Sequence, residues 1–431
     1  MKNKSKIKKI IAAVFLAFFV VGMLIVYAGY KKVDNTVKLV NQQDKEIVKS
    51  LVNSNISETT KSRLKENWTV AIFGIDSRKI SDLSGSNSDV IILASINNKT
   101  GNITLVSVYR DTCLKTGQNR YKKVNEAYAM GGPKKAIEVL NENLDLEIDD
   151  YIAVNWSAVA TTINILGGID IDITNEELKY INSYITETVN CTGIGSVQLK
   201  ESGMQHLDGV QAVAYSRIRY TSGNDFKRTE RQRDILTALL SKAKRTDWAT
   251  LNNVIVTVFP TISSSIDTED VIEMAMNLLK YNFTKNSGFP FKLSTRNVDK
   301  QDFVFPDTLE NNVMELHSYM YGVENHEVSD AVKLISVKIE EKHNGKFSYE
   351  KKSEYIEETY AEVNEAEFET EPEPEIILEI EIETEKITDV NPENYGPGYV
   401  IHESKAEPEI TKEVDLGIET ESLTIEPEAV E

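Results

Sequence analysis

From residue 68 onward, the chain alternates short apolar runs with amphipathic segments. Three early runs are rich in Val and Ile and end at turn residues, which predicts buried strands at residues 69–75, 90–96 and 103–108. Helical periodicity follows at residues 124–130, 134–143 and 157–166, and a further strand is predicted at 169–173. Later segments predict helices at 208–217, 227–245, 250–259, 268–281 and 328–340, with a strand at 289–295. This alternation predicts an α/β fold with helices on the faces of a sheet.

The N-terminus carries an uncharged stretch, residues 10–30, preceded by five lysines. It is about as long as the roughly 20 residues that a helix needs to cross a bilayer. A secretory signal peptide has a shorter apolar region and a small-x-small cleavage site, which residues 26–28 fit poorly. We therefore predict an uncleaved, single-pass anchor at residues 1–32, with its basic leader in the cytoplasm. A stalk at 33–66 and an extracellular domain at 67–345 would follow.

The acidity of the chain is confined to its C-terminal tail. Residues 351–431 hold 26 acidic and 5 basic side chains, a net charge of −21, whereas the whole chain carries −20, so residues 1–350 sum to +1. Such a composition cannot bury enough apolar area to offset the entropy of ordering, and residues 346–431 are predicted to be disordered. Such a tail would serve either as a solvated spacer or as a buffer of divalent cations.

The usual catalytic signatures are missing from the sequence, and no two of the five histidines have the spacing of metal ligands on one helix. Zinc chemistry is therefore not expected. The two cysteines, Cys113 and Cys191, could form a disulfide outside the cell or remain free.

Charged residues instead follow the ends of the predicted strands, where α/β folds bind ligands. Asp76 and Arg78 follow the first strand, Asp89 opens the second, and Arg110 and Asp111 follow the third. A fourth group consists of Arg217, Arg219, Asp225, Arg228, Arg231 and Gln232.

The helix predicted at 227–245 decides how part of this fourth group is interpreted. At 100° per residue, Arg228 and Gln232 fall on the same stripe as Ile235 and Leu239, whereas Arg233 falls on the opposite, solvated side. A guanidinium on an inward stripe is costly unless it is paired or bound to an anion. Either Arg228 forms a buried ion pair with Asp225, or Arg228 and Gln232 line an anionic pocket.

Arginine forks bind phosphate oxygens, and Mg²⁺ takes one or two carboxylates together with phosphate oxygens. The two kinds of side chain together predict a pyrophosphate site.

These segments resemble the LytR-CpsA-Psr family in five ordered blocks across residues 68–235. The family's Asp-x-Arg resembles Asp76-Ser77-Arg78, and its Arg-Ser-Asp-Thr resembles the segment that contains Ser88-Asp89-Val90. The family's Ser-Ile-Pro-Arg-Asp-Thr resembles Ser107-Val108-Tyr109-Arg110-Asp111-Thr112. Residues 123–132 resemble its Lys-Ile-Asn-x-Ala-Tyr-x-x-Gly-Gly, and residues 207–219 and 225–232 its last block. Asn87 for Arg, Val90 for Thr and Tyr109 for Pro depart from the pattern.

The resemblance implies a three-layer α/β/α domain around a central mixed sheet, with a hydrophobic groove for a polyprenyl chain. It implies a phosphotransferase that moves a glycopolymer from its polyprenyl-pyrophosphate carrier to peptidoglycan, at the 6-hydroxyl of N-acetylmuramic acid. Asp76 and Asp89 would hold Mg²⁺ or Mn²⁺. The pyrophosphate would be bound by Arg78, Arg110, Arg217, Arg219, Arg228 and Gln232, and Arg110, Asp225 and Arg228 would be catalytic.

Two alternatives stay open. The enzyme could be a pyrophosphatase that cleaves the same lipid without an acceptor, or the chain could be a non-catalytic lipid-binding regulator. Nucleic acid is not an expected partner, because the domain would lie outside the membrane and has no basic stripe. The apolar positions Trp248, Leu251, Val254, Ile255 and Val258 suit the core or a lipid groove equally well.

Overall fold

The computed structural model describes residues 45–51, 53–75, 85–220 and 224–345, together with the isolated residues 31 and 34. The chain divides into two compact units, residues 1–355 and 356–431, and every described residue belongs to the first. The predicted membrane span, the predicted tail, and Asp76 and Arg78 lie outside the described residues. Among the residues described, no helix has both the length and the apolar character needed to span a bilayer.

Twelve strands are described. They are β1 Asn67–Ile75, β2 Ser88–Asn97, β3 Asn102–Val108, β4 Cys113–Gly117, β5 Arg120–Lys123, β6 Asp150–Val154, β7 Ile169–Ile173, β8 Gly203–Leu207, β9 Ser263–Ser264, β10 Asn282–Phe289, β11 Leu293–Val298 and β12 Gln301–Pro306. Six of them form a central sheet in the order β10-β3-β2-β1-β6-β9. The pairs β1–β6 and β10–β3 are parallel and the other three pairs are antiparallel, so the sheet is mixed, as predicted.

Besides the helical residues 45–50, ten α-helices with described bounds surround the sheet. They are α1 Glu58–Leu64, α2 Glu126–Leu144, α3 Trp156–Ile165, α4 Asn175–Thr192, α5 Gly209–Arg217, α6 Asn224–Ala243, α7 Trp248–Val258, α8 Thr268–Asn277, α9 Leu309–Tyr321 and α10 Asp330–His343. Polar N-caps begin most of them; in α5, for example, Asp208 and Gln211 form a reciprocal capping box.

The alternation of side chains along β2 places helices on both faces of the sheet. Ile91 and Leu93 belong to a large core that includes residues of α2, α9 and α10. Ile92 and Ala94, on the opposite face, pack with Leu236 and Leu240 of α6. The structure is therefore a mixed α/β fold built around a central mixed sheet, which confirms the predicted class.

A bulge disturbs the pairing of β1 with β2 at the end of the sheet where the charged residues lie. The register shifts between Gly74 and Ile75, so that Ile75 pairs with Ser88. A Cβ on Gly74 would come within 2.7 Å of the Val90 side chain, so a side chain at this position would clash. The bulge therefore depends on glycine at position 74 and leaves Asp89 without a partner in the β1–β2 ladder, between the paired residues Ser88 and Val90.

Several predicted elements need correction. The strand predicted at 289–295 is wrong, because β10 ends at Phe289 and β11 begins at Leu293; Pro290 between them has no N–H to donate to a ladder. The break predicted between the helices at 124–130 and 134–143 is confirmed, because Gly131 and Gly132 within the range of α2 have non-helical backbone angles that separate two helical stretches. The elements that were not predicted include β4, β5, β6, β8, β12, α4 and α9.

The described part of the predicted stalk packs on the domain. Val48 is buried in the large core, and the Asn53 side chain donates to the backbone oxygen of Asn141 at 2.7 Å. Lys45 forms ion pairs with Asp267 and Asp270. From residue 45 onward, this segment is therefore part of the packed structure.

The sequence did not decide whether the two cysteines are bonded, or whether the apolar stripe of residues 248–258 on α7 belongs to the core or to a lipid groove. Cys113 and Cys191 are both free, and burial raises the pKa of the Cys113 thiol to about 12. On α7, Val258 is buried in one core cluster, Ile255 packs partly buried against another, and Trp248 is 58% exposed. The stripe thus serves partly as core.

Candidate active site

One end of the central sheet gathers charged residues from three parts of the chain. Asp89 lies at the start of β2 and Arg110 directly after β3; because these strands are antiparallel, the two positions meet at the same sheet end. Asp225 lies in the first turn of α6, and Arg228 follows one turn later. Arg219 lies in the connection between α5 and α6.

The Arg110 guanidinium connects the sheet to α6. Its Nη1 donates to Asp89 Oδ1 at 2.9 Å, and its Nε donates to Asp225 Oδ2 at 3.0 Å. Arg219 lies beside the same two carboxylates, with its Nη2 3.5 Å from Asp89 Oδ2 and its Nε 3.8 Å from Asp225 Oδ1. Burial opposes the charge on Arg110, but Asp89 and Asp225 outweigh it and raise its pKa. We call Asp89, Arg110, Arg219, Asp225 and Arg228 the charged cluster.

Arg228 is the most deeply buried member of the charged cluster. Its residue is 3% exposed, and its Nη1 lies 3.2 Å from Asp225 Oδ1. Within the described part of the chain, Nε and Nη1 are buried and make no hydrogen bond; Nη2 donates to the Asp89 backbone oxygen at 3.4 Å. Burial lowers the pKa of Arg228 to about 10, opposed by Asp225 and reinforced by the neighbouring cations Arg110 and Arg219.

The structure therefore contains features of both interpretations of Arg228. The contact with Asp225 exists, yet Asp225 is shared with two other arginines and leaves two Arg228 nitrogens without hydrogen bonds. Buried donors of this kind are rare in folded proteins and call for a partner. The Gln232 side chain, one turn further along α6, likewise has a buried Oε1 that accepts no hydrogen bond among the described residues. Both side chains have unused capacity for a ligand.

Arg217 lies in a different environment from the one predicted. Its guanidinium stacks 3.6 Å from the centre of the Trp156 ring and donates to Thr188 Oγ1 at 2.9 Å and Glu187 Oε1 at 2.6 Å. These partners are on α3 and α4, outside the charged cluster. Of the predicted pyrophosphate ligands, the structure thus brings together Arg110, Arg219 and Arg228, while Arg78 lies outside the described residues.

Arg233 contradicts the sequence prediction of a solvated position. It is 5% exposed, and its Nη1 donates to Ser107 Oγ of β3 at 2.8 Å. Helix α6 is covered on this side because Leu236 and Leu240, the next residues of the same arc, pack on the sheet. On the helical wheel this apolar arc lies next to Arg233, and it was the feature of the sequence that could have predicted the burial of Arg233.

Lys123 is a further residue of this region that the sequence did not single out. Its Nζ contacts Asp111 Oδ1 at 2.8 Å, while Asp111 Oδ2 lies 3.5 Å from Arg110 Nε. The backbone N–H of Asn125 donates to the Arg110 oxygen at 3.2 Å. The end of β5 and the residues directly after it thus hold the loop that carries Arg110.

The carboxylates of the charged cluster fit a metal ion that takes few protein ligands. Among the described residues, no group of three or more His, Cys, Asp or Glu side chains gathers as a metal cage. Mg²⁺ does not require one, because it binds one or two carboxylates and keeps water and phosphate oxygens. The Asp89 side chain is 33% exposed and its Oδ2 lies 3.5 Å from Arg219, which leaves a lone pair accessible.

An arginine-rich site with two carboxylates at the carboxyl end of a strand in an α/β fold suits proteins that bind phosphorylated ligands. Residues 23–357 match the LytR_cpsA_psr family, and the chain belongs to this family. It is 31% identical over 247 residues to the polyisoprenyl-teichoic acid–peptidoglycan teichoic acid transferase TagU of Enterococcus faecalis, covering 55% of this chain and 72% of the relative. TagT of Bacillus subtilis, which carries the same functional name, is 27% identical over 311 residues, covering 69% of this chain and 86% of that relative. The crystal structure of B. subtilis TagT aligns with a TM-score of 0.47 at 21% identity, over 60% of this chain and 93% of that one.

Proposed function

We propose that this chain is a phosphotransferase of cell-wall biogenesis, which moves a glycopolymer from a polyprenyl-pyrophosphate carrier to a peptidoglycan hydroxyl. The acceptor is the 6-hydroxyl of N-acetylmuramic acid. The observation that carries the proposal is Arg228, buried in the charged cluster with two nitrogens that make no hydrogen bond. Family membership and the names of TagU and TagT support the same reaction.

The charge balance of the cluster favours an anionic ligand. Among the described residues, the three guanidinium groups of Arg110, Arg219 and Arg228 contact the carboxylates of Asp89 and Asp225, while Asp111, 3.5 Å from Arg110, is balanced by its ion pair with Lys123. The excess is one positive charge in a partly buried place, where the interaction with a diphosphate is stronger than in water. Planar guanidinium forks also match the spacing of phosphate oxygens.

In the reaction, the acceptor hydroxyl oxygen attacks the phosphorus that carries the glycan. The new P–O bond forms as the bond to the bridging oxygen of the pyrophosphate breaks, and polyprenyl phosphate leaves with the bonding electrons. Arg110 and Arg228 stabilise the charge on the phosphoryl oxygens, which is the main demand of phosphoryl transfer. Asp225 orients both arginines and accepts the hydroxyl proton. The pyrophosphate itself supplies the driving force, so no ATP is required.

Asp76 and Asp89 would hold Mg²⁺ or Mn²⁺, which neutralises phosphate charge when it is bound. Arg78 and Gln232 remain proposed pyrophosphate ligands from the sequence, whereas Arg217 contacts Thr188 and Glu187 outside the charged cluster and is not proposed as one. We further propose that residues 10–30 anchor the chain in the membrane, with the N-terminus in the cytoplasm and the catalytic domain outside. That arrangement would bring the charged cluster to the compartment that contains peptidoglycan.

Product analysis tests the proposed reaction. The full-length chain in detergent is incubated with a prenyl-pyrophosphate-linked oligosaccharide, Mg²⁺, and either peptidoglycan or buffer alone. Glycan linked to peptidoglycan is expected only in the first mixture, together with released prenyl phosphate. Equal release in both mixtures without linked glycan would establish the pyrophosphatase alternative. Transfer and lipid binding that survive Arg228→Ala and Asp89→Ala would exclude catalysis at this site.

A further inference from the structure

Three tyrosines form a surface next to the charged cluster that the proposed reaction does not use. Tyr180 and Tyr184 lie one turn apart on α4, and Tyr220 follows Arg219. The rings of Tyr180 and Tyr220 have their centres 6.1 Å apart, and the residue Tyr220 is 71% exposed. We call these three residues the tyrosine shelf.

Two of the three tyrosines of the shelf are anchored on the core. Tyr180 and Tyr184 pack partly buried against a core cluster that includes Ile181 and Ile185 of the same helix. Their outer parts remain accessible, because neither side chain is fully covered. Large exposed apolar groups on a rigid support are unusual on a solvated surface and often mark a binding site.

A backbone contact ties the shelf to the charged cluster. The N–H of Arg219 donates to the Tyr184 hydroxyl at 3.3 Å, while the Arg219 side chain lies beside Asp89 and Asp225. A ligand that places its diphosphate among the arginines therefore places the next chemical group within reach of the tyrosines. In the proposed donor that group is a sugar.

Polar side chains border the shelf as a sugar-binding site requires. Arg217 lies 5.6 Å from the Tyr184 ring centre and stacks on Trp156, and it pairs with Glu187, whose side chain is 55% exposed. A pyranose ring presents C–H groups on its faces and hydroxyls at its edge. Aromatic faces suit the first, and an accessible carboxylate and guanidinium suit the second.

We propose that the tyrosine shelf is a saccharide subsite that binds a pyranose ring directly beside the pyrophosphate. This inference rests on the proposed function. The ring belongs either to the first sugar of the donor or to the peptidoglycan acceptor, and both sources share this chemistry. Arg217 acts in this site as a positioning residue, which holds Tyr184 and presents Glu187.

The test compares ligands with and without a sugar. Titration of the full-length chain in detergent measures the Kd of geranylgeranyl pyrophosphate and of the same lipid carrying one N-acetylhexosamine on its pyrophosphate. The donor subsite predicts that the sugar tightens binding roughly 3- to 10-fold, and that Tyr180→Ala with Tyr220→Ala removes this gain while the bare lipid binds unchanged. Tyr220→Phe retains the gain, because the ring remains.

A second arm addresses the acceptor. The KM for a soluble peptidoglycan fragment is measured in the transfer reaction; a rise of roughly 3- to 10-fold in the double variant, with kcat unchanged, would place the acceptor sugar on the shelf. Met204→Ala, on an exposed side chain of β8, is the matched surface control. If neither the sugar-dependent gain nor the acceptor KM changes, the shelf is not a saccharide subsite. Absence of binding by the bare pyrophosphate lipid would instead overturn the proposed function.

Discussion

Replacing Arg228 by methionine separates the two interpretations of this buried guanidinium. If Arg228 forms a structural ion pair, its replacement should lower the free energy of unfolding of the protein by about 3–5 kcal/mol, which is the usual result of breaking a buried pair. As a ligand-binding group, it should contribute little to folding. After Arg228 is replaced, Asp225 keeps its contacts with Arg110 at 3.0 Å and with Arg219 at 3.8 Å. The replacement also removes from the interior two nitrogens that make no hydrogen bond.

We therefore expect Arg228→Met to unfold within about 1 kcal/mol of the wild type, or to be slightly more stable. Its affinity for geranylgeranyl pyrophosphate should fall sharply. Two charge-assisted hydrogen bonds at the lower end of their usual strength amount to about 3 kcal/mol, or roughly a 100-fold rise in Kd. Denaturant unfolding and calorimetric titration of the full-length chain measure the two quantities.

Arg231→Met is the control on the same helix. Arg231 is 4% exposed, donates to Glu177 Oε1 at 2.7 Å and to the Ile218 oxygen at 2.9 Å, and its loss leaves a buried carboxylate without its cation. We expect it to lose about 3–5 kcal/mol of unfolding free energy. A ligand-binding role of Arg228 is refuted if both variants lose similar stability and Arg228→Met keeps its affinity for the lipid.

Three further outcomes follow from the structure. Asp89→Asn should lower the transfer rate at least roughly 100-fold and shift the Mg²⁺ titration to higher concentration, because the carboxylate contacts Arg110 and is the proposed metal ligand. Burial and the neighbouring His326 lower the pKa of His317 to about 4 from 6.5. The folded state therefore binds fewer protons between these pH values, and stability on the order of 3 kcal/mol should be lost as pH falls from 6.5 through 4. Gly288→Ala should destabilise the fold by about 1–3 kcal/mol, because the new Cβ would lie 2.0 Å from the Tyr109 hydroxyl.

Each of these has a simple control. A chelator should abolish transfer by the wild type and change little in Asp89→Asn. Denaturant unfolding of His317→Gln across the same pH range should show a flatter profile, and an unchanged slope would mean that another group titrates. For Gly288→Ala, the added substitution Tyr109→Ala should relieve the clash; additive losses in the double variant would show that the two residues do not interact.

The central strands of the sheet were predictable because their own residues, read along the chain, form continuous apolar runs. Residues 69–75, 90–96 and 103–108 are continuous Val- and Ile-rich runs, and each lies within an observed strand. Strands such as β4 and β5 were missed because they are short, rich in polar residues and stabilised by pairing with each other. Their stability comes from contacts between segments, which a window along the chain does not report.

The charged cluster was predictable in part for a similar reason. Strand ends and one helical stripe indicated Asp89, Arg110 and Arg228, and strand pairing brings these residues together. The helical-wheel prediction that Arg233 is solvated was wrong because it assumes a helix with one buried side. Helix α6 packs on the sheet through Leu236 and on a second core cluster through Ile235. Arg217 was assigned by its place in a motif, and its stacking on Trp156 depends on α3, a segment distant in sequence.

Helix α6 presents its arginines to different neighbours in fixed angular order. Arg228 faces the charged cluster, Arg231 reaches Glu177 of α4, and Arg233 reaches Ser107 of β3. Inserting one residue after Asp225 would rotate all three by about 100° relative to that carboxylate. None could then keep its present neighbour unless the whole helix turned with it. The length of this segment is therefore as constrained as its composition, and natural insertions should be confined to the flanking connections.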